Sequence, residues 1–245
     1  NYVFYNLDPS ALCADPVTTF ESTGCPMYLY DDNHLNDIEY LLNKDVLFEK
    51  IPYMIAQSLT GDYDEGNSYN WAQWKSFNED MILGLYIRKM NIEDMKPETC
   101  YQDKLDGNLA LLCAEIEAHP ETQFKISIPP YSMLWWDNIY RNGETESYLY
   151  NMEQAMEKLL TYENVELYYF LNDREIVTDL DNYMDLLHFS PEINQYICDS
   201  MIRNDHKVTE ANCHEIIEDS RSLAYQAVNE LIKPYEDRIK VDIYD

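Results

Sequence analysis

Phe124-Lys125-Ile126-Ser127-Ile128-Pro129-Pro130-Tyr131-Ser132 decides how the chain is read. A short apolar, β-branched run ends in two prolines, so the pattern predicts a strand that stops in a rigid turn. Val3 to Leu7 and Val165 to Phe170 have the same character, and each also runs into a polar or proline-containing turn. Outward from these runs the spacing changes to three and four. Leu109, Leu112, Cys113 and Ile116 form one stripe within a helix predicted over Leu105 to Ala118. Leu149, Met152, Met156, Leu159 and Leu160 form another over Glu146 to Leu160. Ser190-Pro191-Glu192 predicts an N-cap followed by proline at the first helical position, starting a helix through Ile193, Ile197 and Met201. A last helix is expected from an N-cap at Thr209 to about Pro234.

From residue 100 onward the order is helix, strand, helix, strand, loop, helix, the alternation of a parallel sheet wrapped by helices. The expected class is α/β, one domain over residues 1–245. Three strands are few for such a sheet, and Asn1 leads directly into a strand-like run, so further strands are expected upstream. The stretch from about Met27 to Asn91 does not follow the alternation. It is rich in Tyr, Trp, Asp and Asn, contains a helical pattern from Leu35 to Leu47, and reads as a helical, aromatic-rich insertion.

Composition narrows the function. The 245 residues carry 17 Lys plus Arg against 46 Asp plus Glu, a formal net charge of −29, which opposes any surface meant to neutralise phosphates. Nucleic acid is therefore excluded as a partner, as is a membrane surface held through a basic face. With 46% hydrophobic residues the chain is too apolar for an acidic disordered polymer, so its charge is that of a solvated surface. The six cysteines, Cys13, Cys25, Cys100, Cys113, Cys198 and Cys213, include no CxxC pair. They fit either buried thiols or local disulfides such as Cys13 with Cys25 and Cys198 with Cys213. No cofactor or metal site is expected: the polar run Asp31, Asp32, Asn33, His34, Asn36, Asp37 suits a helix N-terminus better than a cation. Asp62, Asp64 and Glu65 form only half of a calcium loop.

The sharpest chemical signal is Asp185-Leu186-Leu187-His188, after the last predicted strand and before the Ser190-Pro191 helix start. A carboxylate three residues before a histidine can fix the imidazole tautomer and stabilise the imidazolium formed on proton abstraction. Trp135 and Trp136 follow the Pro-Pro-Tyr-Ser turn and are candidates for a pocket wall.

With Ile126 to Ser132 and Val3 to Asp8, the block from Asp185 through His188 to Asn194 resembles the later part of an SGNH/GDSL-type hydrolase, in particular envelope proteins of Gram-positive gut bacteria that follow an N-terminal membrane anchor. The resemblance implies a flavodoxin-like three-layer sheet whose first strands, with the block bearing the nucleophilic Ser, lie outside this chain. It implies His188 as general base and Asp185 as its orienting partner. The block that supplies an oxyanion Asn would fall at Tyr5-Asn6-Leu7-Asp8, where the family's glycine is missing and Asn6 is one place early, so Asn6 and Asp8 are both candidates. Tyr131, Ser132 and Trp135 would line the substrate pocket, Ser132 being the nearest internal hydroxyl. The expected activity is hydrolysis or transfer of an O-acyl group on a cell-surface carbohydrate, with this polypeptide inactive until an upstream segment completes the triad. The protein would then be extracellular or anchored to the envelope through that segment. The rival reading is a non-enzymatic envelope module that binds a glycan or a protein.

Overall fold

The computed structural model describes residues 1–17, 27–61 and 75–242. In chain order its elements are β1 (Tyr2–Asn6), α1 (Ile38–Leu41), α2 (Ile51–Thr60), α3 (Glu79–Leu85), β2 (Ile87–Lys89), α4 (Gln102–Ala118) and β3 (Gln123–Ile128). They continue with α5 (Met133–Arg141), α6 (Thr145–Leu159), β4 (Val165–Tyr169), α7 (Arg174–Val177), α8 (Pro191–Arg203), α9 (Cys213–Gln226) and β5 (Lys240–Asp242). The fold is mixed α/β with parallel sheets. Asn1–Pro16 and Ser76–Asp245 make one compact unit, and Val17–Lys75 makes a second.

The first unit is built on a parallel sheet of order β1-β3-β4. Tyr2 to Asn6 pair with Gln123 to Ser127, and Phe124 to Ile128 pair with Val165 to Tyr169, so all three strands end at one edge of the sheet. Phe124, Ile126, Ile128, Leu167 and Tyr169 are buried, which accounts for the apolar runs that mark β3 and β4 in the sequence. The two lateral edges differ. Along β4, His206 to Val208 runs antiparallel, Val208 donating to the Leu167 carbonyl and Tyr169 to the His206 carbonyl. Along β1 no strand of the described residues pairs on the outer side, and Tyr2 and Phe4 are 70% and 68% exposed.

Several expectations need correction. The helix predicted over Leu35 to Leu47 is interrupted: it forms the single turn α1 and resumes before Val46, where a π-helical turn over Val46–Lys50 leads into α2, because local polar side chains capture the backbone before and between them. Asp31 accepts from the Asn33 amide, Asn33 from Leu35 and Asn43 from Asp45. The polar run at 31–37 is thus a set of turns, Asp31 also accepting from the Asn36 side chain. Thr209 is not a cap acceptor. Its amide and hydroxyl both donate to Asn212 Oδ1, and the helix begins at Cys213. Cys198 and Cys213 are free thiols, as are Cys13, Cys100 and Cys113, so the bridge between 198 and 213 does not form. Cys25, Asp62, Asp64, Glu65, Trp71 and Trp74 lie outside the described residues.

A second parallel pair, β2 with β5, is tied to α5 by a buried ion pair. Arg88 of β2 grips Asp137 of α5 in bidentate fashion at 2.8 and 2.9 Å, and the Tyr86 hydroxyl donates to the same carboxylate at 2.7 Å. Arg141, one turn along, adds a longer contact of 3.2 Å. Asp137 is fully buried, so removing Arg88 leaves its charge with only the Tyr86 hydroxyl and the longer Arg141 contact. Arg88→Met should destabilise the protein by about 3–5 kcal/mol in urea unfolding. A loss below about 1 kcal/mol would mean that the other donors suffice.

Across the sheet, Glu166 of β4 accepts from Lys125 of β3 at 2.8 Å and from Lys207 at 2.9 Å. These two ammonium groups hold its carboxyl down from 4.5 to about 2. A depressed folded-state value stabilises above the unfolded value and ceases to do so as pH falls through the folded one. The thermal stability advantage of wild type over Glu166→Gln should accordingly be full at neutral pH and shrink between pH 4.5 and 2. A difference constant over that range would show the ion pairs to be inert.

Candidate functional site

The loop from Asp179 to Ser190 is fastened at the carboxyl end of β3. The Leu186 carbonyl accepts both the amide and the hydroxyl of Ser132, each at 3.1 Å, and the Tyr183 hydroxyl donates to the Pro130 carbonyl at 2.7 Å. Tyr183 bridges to Phe189 in antiparallel fashion, and Ser190 donates to the Asn182 carbonyl, which closes the loop on itself. Two prolines before Tyr131 fix the backbone on the other side of this fastening.

Within the closed loop Asp185 acts with both oxygens. Oδ1 accepts the amides of Leu187 and His188 at 2.9 and 2.8 Å, while Oδ2 lies 2.8 Å from His188 Nδ1. A carboxylate only accepts, so Nδ1 carries a proton and the basic lone pair of the neutral ring is on Nε2. Burial pushes the Asp185 carboxyl up, but the two amides and the imidazole together outweigh it and hold the carboxyl below its ordinary value. The His188 side chain is 53% exposed.

This pair opens into a cleft of about 480 Å³ that Ser10, Trp135, Asn138, Ile139, Asn142, Glu144, Tyr148, Leu186 and Leu187 also line. Trp135, Asn138, Ile139 and Asn142 recur at helical spacing along α5 and its C-cap, so one face of that helix forms a wall. Glu144 is set by the turn after α5, where Gly143 has φ +67° and a Cβ would stand 2.2 Å from the Asp94 carbonyl oxygen. Only glycine fits there. Glu144 Oε1 accepts from Lys96 at 2.6 Å and from the Tyr101 hydroxyl. Ser10 follows β1, its amide donating to Asp8 Oδ1 at 2.8 Å. Burial drives the Tyr148 hydroxyl well above its usual range.

The residues singled out in the sequence therefore divide into three groups. Asp185, His188 and Trp135 share the cleft. Tyr131 packs against Trp135, burial first and then the Asp8 charge raising its hydroxyl, and Ser132 is fully buried with its hydroxyl spent on Leu186. Asn6 lies elsewhere, in a groove with Phe4, Phe189 and residues of α8, its Oδ1 3.4 Å from Ser127 Oγ. Ser10, Asn138, Asn142, Glu144 and Tyr148 went unnoticed in the sequence. For Asn138 and Asn142 a signal was present, since they extend the spacing that begins at Trp135, but reading it required knowing that 133–141 is a helix.

Among the described residues no group of three or more His, Cys, Asp or Glu is placed to hold a metal ion. No helix among them is long and apolar enough to cross a membrane. Comparison with protein-family models, with curated proteins and with solved structures finds no match to this chain.

Proposed function

We propose that the protein is the larger, C-terminal part of an SGNH-type ester hydrolase or O-acyltransferase, with His188 as general base and Asp185 as its positioning partner. The observation that carries this reading is the 2.8 Å contact of Asp185 with His188 Nδ1 in a cleft at the carboxyl edge of a parallel sheet. Ligands collect at that edge in open α/β sheets. The proton on Nδ1 leaves Nε2 as the base. In the first step Nε2 takes the proton of a serine hydroxyl while its oxygen bonds to the acyl carbon of the ester. The imidazolium then returns the proton to the departing alkoxide, leaving an acyl-enzyme. Water, or an acceptor hydroxyl in the transferase variant, releases the acyl group by the same route in reverse.

The nucleophile belongs, in this reading, to an upstream segment that also extends the sheet into a flavodoxin-like three-layer arrangement. The outer edge of β1 supports this, since no strand of the described residues pairs there and a strand bearing Tyr2, Val3, Phe4 and Tyr5 without one charge is a template for another strand. The substrate is the ester of a cell-surface carbohydrate, and the protein works outside the membrane, held at the envelope through the upstream segment. Ser10 is the serine that, among the described residues, lines the cleft.

Extending the polypeptide upstream and treating it with a fluorophosphonate should label a single serine and support p-nitrophenyl acetate turnover. His188→Ala should lower both by about 10²–10⁴-fold, and Asp185→Asn by up to about 10⁴-fold by misdirecting the tautomer. Peptide mapping that found the label on Ser10 would place the nucleophile inside this chain. Labelling indifferent to His188 would leave a non-enzymatic binding module.

A second outcome follows from the loop. Ser132→Ala removes the hydroxyl donor to Leu186 yet keeps the amide donor, so about 1 kcal/mol of stability should be lost. If the fastening positions the pair, turnover in the extended protein should fall through kcat with KM nearly unchanged. An unaltered kcat would show that the amide alone positions the loop.

A further inference from the structure

We propose that Asn138, Asn142 and Glu144 form a recognition subsite for the hydroxyl groups of a neutral sugar ring, in the cleft that holds Asp185 and His188. The proposal deepens the ester-transfer reading and rests on it for where the reacting ester sits, while the binding it describes needs no chemistry. Three observations carry it.

The first is placement. Asn138 and Asn142 stand four residues apart on one face of α5, and the tight turn at Gly143 brings Glu144 into the same wall. The second is support from behind. Lys89 Nζ donates to Asn142 Oδ1 at 3.3 Å, while Lys96 and Tyr101 both bind Glu144 Oε1. Asn142 is thereby oriented with its NH₂ as the remaining donor, and Glu144 keeps Oε2 as an acceptor. Asn138 makes no side-chain hydrogen bond with the described residues, so its amide both donates and accepts toward whatever fills the cleft.

The third is chemical selection. No Lys or Arg lines this cleft, so an anionic ligand finds no ammonium or guanidinium partner in its lining. The lining carboxylates are already satisfied, Glu144 by Lys96 and Asp185 by two amides and an imidazole, so a cation gains little. An apolar ligand would bury the two amides unpaired. Adjacent groups that each donate and accept, as vicinal ring hydroxyls do, match two amides and a carboxylate oxygen. Trp135 and Tyr148, almost fully buried, give the apolar edge of the floor against which ring carbons pack.

The test is calorimetric titration and saturation-transfer NMR on this protein with chitotetraose, cellotetraose and xylotetraose. The glucosamine tetramer serves as the cationic probe and tetragalacturonate as the anionic one. At least one neutral tetrasaccharide should bind, and Asn138→Ala and Glu144→Gln should each weaken it about tenfold. Asn138→Asp keeps the shape but removes the donor, and should weaken binding to the same degree, with an unchanged melting temperature showing that the fold is intact. Failure of all three neutral sugars, equal binding by wild type and the variants, or preference for either charged tetramer would overturn the proposal. Because no acyl group moves in this experiment, such a failure leaves His188-dependent labelling standing, and absent labelling leaves sugar binding standing.

Discussion

One carbonyl oxygen, that of Leu186, holds the candidate site together. It takes the amide and the hydroxyl of Ser132, and so joins the loop carrying Asp185 and His188 to the residue that starts α5. Ser132 thereby serves as the N-cap residue of α5 without using its hydroxyl on the helix, which would be the usual employment. The helix start is offset by the two prolines before it, which already restrict the backbone. What the arrangement gains is registry: the helix wall with Trp135, Asn138 and Asn142 and the loop with the His–Asp pair are fixed to the same point at the end of β3.

The same economy governs the charges. With 17 basic residues against 46 acidic ones, the cations around α5 are committed to carboxylates. Arg88 and Arg141 are bound to the buried Asp137 and Lys96 to Glu144, as Lys125 and Lys207 are to Glu166 elsewhere on the sheet. The inner surface is left with polar neutral groups, two satisfied carboxylates and an imidazole. In the proposed reaction such a lining would suit a neutral ligand and stabilise the positive charge formed transiently on the ring of His188.

How much of this could be read from the chain differs by element. β3, β4 and the stripes of α4, α6 and α8 were legible because burial on one side leaves an apolar period, and Pro191 and Pro129 mark boundaries that few other residues can. The helical spacing of Leu35, Ile38 and Leu42 does not give one continuous helix, since Asp31, Asn33 and Asn43 take the backbone for turns and the helix resumes only toward Val46. β2 and β5, three residues each, carry no period at all, and their pairing spans most of the chain. α5 was hidden by its composition, because both tryptophans drew attention as pocket residues when Trp136 is wholly buried core. Asp185 and His188 were visible because both lie in one tetrapeptide. Ser10, Asn138 and Glu144 were not, because only the parallel register of β1 on β3 brings the turn after β1 beside α5.

The loop also explains why a histidine that is half exposed can still be held in one orientation. An exposed ion pair of this kind is worth little by itself, since ordering two side chains costs as much as the attraction returns. Here the carboxylate is ordered beforehand: Oδ1 is spent on the amides of Leu187 and His188, which fixes the Asp185 rotamer whatever the imidazole does. The second oxygen is then already in place when the ring arrives, and only the histidine has torsions left to lose. The backbone on which that ring rides is itself pinned through Leu186 and through Met184, whose amide donates to the His188 carbonyl at 3.1 Å. Orientation is thus secured by the main chain rather than by the strength of the pair, and the imidazole stays half exposed.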